Sequence, residues 1–247
     1  MPTSSKTPNY RHFDVIMTFF VAVLIISNIA SSAKIVDMGF TLFHFQGLSP
    51  IRLVFDGGTL LFPIAYVLGD VLTEVYGFRA ARRAIWTGFI ALSLSSVFFF
   101  ILSNLPGDVM WEEFTGSSAF NAILGGMSAG GIVIASLSGF LIGSFSNSIL
   151  HSVLKVFVNG RFLWVRTIFS SLIGEFLDTI VFIFVASLAR VFMWELFSSL
   201  VLTNYLIKVS LEALLFPITF FFVKKLKKDE GIDVYDTGVK FNPFTRS

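Results

Sequence analysis

The chain has 247 residues, of which 55% are hydrophobic, 16% are aromatic and only 14% are charged. Soluble domains average about 25% charged residues, so this composition excludes an ordinary soluble domain and points to an integral membrane protein. The absence of Cys excludes disulfides, thiolate nucleophiles and Cys-ligated metals, His12, His44 and His151 are too widely spaced to suggest a metal site, and a net charge of +2 says less than where the cations sit.

A crossing helix needs roughly 20 mostly apolar residues. Six are predicted, at residues 15–33, 57–76, 83–103, 120–145, 165–189 and 200–223. The expected fold class is an all-α integral membrane protein, a six-helix bundle forming a single transmembrane domain over 1–247. Cations gather at the N-terminus (Lys6, Arg11), in the second loop (Arg79, Arg82, Arg83), in the fourth (Lys155, Arg161, Arg166) and in the tail "KKLKK". The alternate loops are poor in them. The positive-inside rule then puts both termini in the cytoplasm, which an even number of spans allows.

The first span has a basic start and ends in "SSAK". That is also the pattern of a secretory signal cut after Ala33. Asn28, in a run with Ser27, Ser31 and Ser32, is either helix glue or a ligand group. In the first loop "FTLFHF" and "IRLVF" flank "QGLSP", which predicts a small external β-hairpin.

The second span contains "GDVLTEVYG", with Asp70 and Glu74 on one helix face. Ionisable groups at lipid depth are costly and mark function. Glu74 lies within reach of Arg79, Arg82 or Arg83 and reads as either a gate or a surface ion pair. Asp70 has no such partner and is the residue expected to meet a ligand. Phe62 and Tyr66, two turns and one turn earlier, offer aromatic walls.

The fourth span carries small residues at Gly126, Gly130, Ala135, Gly139 and Gly143, a stripe for close helix contact, internal or in a homodimer. Residues 126–130 match G-x-S-x-G but lack its strand-to-helix context, and His151 falls beyond the predicted span, so hydrolase chemistry is not expected. The fifth span, "LIGEFLDTIVF", holds Glu175 and Asp178, preceded by Arg166, Ser170 and Ser171. Set against "VLGDVLTE", it suggests a 3+3 inverted repeat with a midplane site. In the sixth span Lys208 and Glu212 either pair within their helix or Lys208 offsets the acids. The last stretch, "DEGIDVYDTGVKFNPF", reads as a loosely packed cytoplasmic segment.

Two acid pairs with aromatic walls suit an aminopurine-like ligand, other amines or a cation. The acids lack His or Cys co-ligands, so neither a metal nor catalysis is expected. No phosphate-binding loop is present, so ATP drive would need a partner.

"FPIAYVLGDVLTEVYGFRAARRA", "SNIASSAK", "RTIFSSLIGEFLDT" and "DVYDTGVKFNPF" are similar to the queuosine precursor transporters, also called the vitamin uptake transporter family. The resemblance covers nearly the whole chain and is most specific over 62–83. It implies that the first span is retained. It also implies bacterial inner-membrane import of 7-cyano- or 7-aminomethyl-7-deazaguanine for salvage of a tRNA wobble base, with no cofactor and no nucleic-acid partner. Glu175 stands where the family often has Gln, a departure that would suit a cationic precursor. A carboxylate can accept the ring N–H and exocyclic NH₂ of a deazaguanine together. Its carbonyl needs a donor such as Asn28, a Ser or Lys208. The residues expected at the site are Asp70, Glu74, Glu175, Asp178, Asn28, Tyr66, Phe62, Arg166, Ser171 and Lys208. A substrate-binding membrane subunit of a multi-component vitamin importer remains the alternative.

Overall fold

Long runs of Leu, Ile, Val and Phe in a medium without water leave the helix as the local solution, because it satisfies its own backbone. The computed structural model describes residues 10–43, 51–128 and 130–244. Helix α1 (Phe13–Ala33) leads into strands β1 (Ile35–Phe43) and β2 (Ile51–Asp56), which pair antiparallel with Ile35 opposite Asp56. The predicted "QGLSP" turn and His44 lie outside the described residues, as does Ala129 of the G-x-S-x-G match. A 3₁₀ turn (Gly57–Leu60) then opens α2 (Phe62–Tyr76), with Pro63 in the first turn, where no N–H is needed. The remaining helices are α3 (Phe78–Ser103), α4 (Val109–Phe114), α5 (Gly116–Ser128), α6 (Gly130–Phe157), α7 (Leu163–Leu188) and α8 (Phe197–Glu230).

Among the described residues, five helical segments are long and apolar enough to cross a membrane: Phe13–Ala33, Phe78–Ser103, Gly116–Phe157, Leu163–Leu188 and Trp194–Glu230. The second expected span is not among them, because α2 has only 15 residues. The 3₁₀ turn takes up the first residues of the expected span, and the far end falls where expected, at Gly77. Its φ is +82°, and a Cβ there would meet Val234 and Asp236. The segment that contains the fourth expected span, Gly116–Phe157, runs twelve residues past the expected end at 145. His151 and Lys155 look like loop residues, yet both are buried and partnered.

The later part of the stripe of small residues, Ala135, Gly139 and Gly143, is an internal contact, whereas a Cβ on Gly130 would meet nothing within 4 Å. A Cβ on Gly143 of α6 would come 2.5 Å from the Asp178 Cβ and 2.8 Å from the Gly174 carbonyl of α7. Other apolar side chains, such as Phe98, Leu214 and Phe221, face outward and supply the surface that lipid covers.

The tail was expected to pack loosely. Instead, Asp236 is buried and accepts from the Phe78 N–H (2.8 Å) and the Ser152 hydroxyl (2.5 Å). Trp86 Nε1 donates to the Pro243 carbonyl (2.9 Å), and Phe241 stacks edge-on to Phe78. The physical reason is that the first N–H groups of α3 have no partner within their own helix. Asp236 reaches one of them from 158 residues away.

Candidate functional site

Four helices present polar, aromatic or glycine residues at every fourth position, the spacing that aligns side chains on one face. On α2 they are Phe62, Tyr66, Asp70 and Glu74; on α6, Gly143, Asn147, His151 and Lys155. On α7 they are Arg166, Ser170, Gly174 and Asp178; on α8, Asn204, Lys208 and Glu212. The ladders face one another, and the glycines let the backbones approach closely enough for short polar side chains to meet.

One cluster surrounds Asp70, which is 1% exposed. The Asn147 amide donates to its Oδ1 (2.7 Å) and the Ser171 hydroxyl to its Oδ2 (3.2 Å). Tyr66 stands within electrostatic reach of Asp70, Glu175, Asp178 and Glu212. Lys208 donates to Asp178 (2.6 Å) and Thr179 (3.3 Å), and its Nζ lies 4.6 Å above the Phe62 ring. It does not pair with Glu212 within its own helix, because the Asp178 carboxyl group reaches it at 2.6 Å across the α7–α8 contact.

Some groups in this cluster are left over. The Tyr66 hydroxyl and Asn147 Oδ1 are buried with no hydrogen-bond partner among the described residues, while the buried carboxyl groups of Glu175 and Glu212 face each other, with Ser171 beside Glu212. Buried polar atoms are nearly always paired, so a concentration of unpaired ones marks a place where something binds. Beside them lies a cavity walled by Phe20, Phe62, Tyr66 and Phe140, with Asn147 and Ser148 as its polar edge. Phe62 also borders a second cavity, lined by Asp178, Lys208, Ser136 and Asp56.

The second cluster surrounds Glu74, which is fully buried. Arg166 grips it through two nitrogens (2.7 and 3.1 Å), His151 Nε2 lies 2.9 Å away, Lys227 contacts it and Lys155 approaches to 3.5 Å. Arg82 is not its partner, contrary to expectation; it turns to the Asn242 carbonyl of the tail. Glu74 points inward between α6, α7 and α8 rather than toward the α2–α3 turn, which is why Arg166 and Lys155 reach it. Lys155 and Lys227 also hold Asp233 of the tail at 2.6 and 2.8 Å.

Of the ten residues singled out from sequence, the structure groups Phe62, Tyr66, Asp70, Ser171, Glu175, Asp178 and Lys208 in the first cluster. Glu74 and Arg166 sit together in the second. Asn28 lies apart, between α1 and α6, donating to the Leu24 carbonyl (2.9 Å) and accepting from Ser136. Asn147 and His151 also belong to these clusters, although both lie beyond the expected end of the fourth span at 145. Their signal was the continuation of the Gly139–Gly143 spacing into polar residues. Ser170, His151 and Glu74 superficially resemble a hydrolytic triad. However, the Ser170 hydroxyl donates to the Thr167 carbonyl (3.0 Å) and stands 3.4 Å from His151 Nδ1. The arrangement lines two narrow cavities with aromatic faces, donors and acceptors; at about 10 and 20 Å³ each has room for a water in this conformation and would have to open to admit a ring-sized ligand.

Residues 56–222 match the profile of a family described as "putative vitamin uptake transporter". The chain belongs to this family. The matched region contains both clusters except for Lys227 and Asp233. A Bacillus subtilis (strain 168) protein named "Probable queuosine precursor transporter" is 26% identical over 175 residues, 70% of this chain and 73% of its own length. A Haemophilus influenzae protein of the same name is 26% identical over 161 residues, 64% of each chain. No solved structure gives a significant match. Family membership and the apolar helices together make this a multi-pass membrane protein.

Proposed function

We propose that this protein imports a 7-deazaguanine queuosine precursor across a bacterial inner membrane. The observation that carries the reading is the aromatic-walled cavity beside Asp70, edged by buried polar atoms that lack partners. Asp70 receives the ring N–H and exocyclic NH₂ of the ligand as a charge-assisted pair. Phe62 and Tyr66 stack on the flat ring, while Ser171 and Asn147 keep the Asp70 carboxylate oriented. Asp178 and Lys208 line the far side of Phe62, where the Lys208 ammonium can donate to a ligand carbonyl. Glu175 and Glu212 receive a cationic substituent such as an aminomethyl group. Glu74 and Arg166 brace the site rather than touch the ligand, and Asn28 joins α1 to α6. The names of the two relatives support this substrate class.

The same reading counts the 3₁₀ turn with α2 as a sixth crossing. Together they reach about 30 Å, the thickness of a hydrocarbon core. Both termini then lie in the cytoplasm, with the paired strands outside. The acid-bearing α2 and α7 become the middle helices of two inverted halves, with the site where the halves meet.

The direct test is thermal stabilisation of purified protein by 7-cyano-7-deazaguanine, its aminomethyl counterpart, guanine and unrelated vitamins. The deazaguanines should raise the melting temperature in a concentration-dependent way and the vitamins should not. Uptake by this chain alone in liposomes would set it apart from a subunit that needs ATPase partners. A melting temperature indifferent to both deazaguanines would overturn the assignment.

A further inference from the structure

His151 is fully buried between two carboxylates that the structure treats differently. Its Nε2 lies 2.9 Å from Glu74, and its Nδ1 faces Asp70 Oδ1 at 3.7 Å. Glu74 is ionised among Arg166, Lys155 and Lys227, so it can only accept, and Nε2 must carry a hydrogen. In the neutral ring Nδ1 is therefore the free base, and it points at the proposed ligand acid.

We infer that His151 exchanges one proton with Asp70 and so couples ligand movement to proton movement. This rests on Asp70 being the ligand acid. The step is Asp70–COOH plus neutral His151 giving Asp70–COO⁻ plus an imidazolium, with the proton passing from the carboxyl oxygen to Nδ1. Ligand N–H groups dock on an ionised carboxylate, so ligand capture drives the transfer. The gap of 3.7 Å needs to close by less than 1 Å, and such contacts commonly tighten only when the ligand is bound.

The other groups facing His151 fit the role. From α2 come Asp70 and Glu74, and from α7 the Ser170 hydroxyl and Arg166 through Glu74. Lys155 shares its helix, and Lys227 of α8 approaches through Glu74. An imidazolium is thus flanked by two carboxylates, while the cations spend their charge on Glu74 and Asp233. Asp233 is 41% exposed, so the cluster opens to solvent at the tail. Release of the Nε2 proton through Glu74 to water on that side leaves a neutral ring with its hydrogen on Nδ1, and a shift of that hydrogen back to Nε2 restores the free base at Nδ1 for the next cycle. Asp70 is then protonated again from the opposite side once the ligand has left, giving one proton per ligand.

The test uses the full chain in proteoliposomes with 7-cyano-7-deazaguanine, whose neutrality keeps ligand charge out of the balance, and a pH dye in the lumen. A gradient of one pH unit should drive about tenfold accumulation, with lumenal proton arrival, both abolished by a protonophore. His151→Gln keeps a donor for Glu74 but cannot take a proton. It should let the ligand equilibrate without accumulating, and it should flatten the pH profile of binding. Accumulation by wild type that ignores the gradient or follows sodium instead overturns the inference, as does wild-type accumulation by His151→Gln. If His151→Gln does not fold, His151→Asn, which also cannot take a proton, makes the same comparison. Loss of binding by both deazaguanines would bring down the underlying assignment as well, whereas binding without proton movement brings down only the coupling.

Discussion

Asp70 and Glu74 stand one turn apart on α2, both buried, yet their surroundings are opposite in charge. Around Asp70 the structure gathers Glu175, Asp178 and Glu212, with Lys208 as the one cation of that cluster among the described residues. Around Glu74 it gathers Arg166, Lys155, Lys227 and His151. The first cluster leaves oxygens without partners; the second saturates its carboxylate. Burying charge is expensive either way. A saturated cluster holds helices together at rest, whereas an unsaturated one is completed by what it binds. One turn of helix separates the two jobs.

The comparison breaks most sharply at Arg166. Arg166→Ala removes the bidentate partner and leaves Glu74 deep in the bundle with poorer neutralisation. The expected loss of stability is about 3–5 kcal/mol, read as a lowered melting temperature with and without ligand. Asp70→Asn should do the reverse. It keeps the volume, can still accept from Asn147 and can donate its amide to the Ser171 oxygen in place of accepting, but it loses the charge that receives ligand donors. Affinity should fall about 10- to 100-fold, the worth of hydrogen bonds to a charged group, while the unliganded melting temperature stays near wild type. If Asp70→Asn unfolds the protein and Arg166→Ala spares it, the two roles have been assigned the wrong way round.

Much of this division was legible in the residues. The i, i+4 spacing on α2 and the acids on α7 named most of the first cluster. What stayed hidden was pairing between elements. Nothing local says that Glu74 prefers Arg166, 92 residues away, to the nearby Arg82, or that Lys208 prefers Asp178 to Glu212. Hydropathy also misled at the end of α6. His151 and Lys155 are polar in composition, yet each is neutralised in place, so the helix continues through them. The tail was misjudged for the same reason: Asp236 and Val234 look soluble until the open N–H of Phe78 and the carbonyl of Val75 are known.

Gly143 gives a finer probe of the first cluster. A Cβ there would collide with the Tyr66 hydroxyl and sit 2.5 Å from the Asp178 Cβ. Gly143→Ala should cost about 1–3 kcal/mol through overpacking. It should also displace Tyr66 from the ring-stacking position, so affinity falls along with stability. Gly130→Ala is the matched control, because nothing lies within 4 Å of its added methyl. Equal effects at the two positions would mean that the close approach of α6 to α7 does not shape the site.

The smallest effects belong to the tail, and they separate what closes the second cluster from what merely touches it. Asp236 is buried and satisfies both the Phe78 N–H and the Ser152 hydroxyl. Asp236→Ala should cost about 1–2 kcal/mol, the scale of a lost helix cap, and leave ligand affinity unchanged. Asp233 is half-exposed and shares Lys155 and Lys227 with Glu74. Asp233→Asn leaves both lysines with a buried carboxylate partner, so its cost should stay below about 1 kcal/mol. Thermal melts of the two variants in detergent would rank them. If Asp233→Asn proves the more damaging, the lysines depend on the tail rather than on Glu74, and the second cluster is a surface clasp instead of an internal brace.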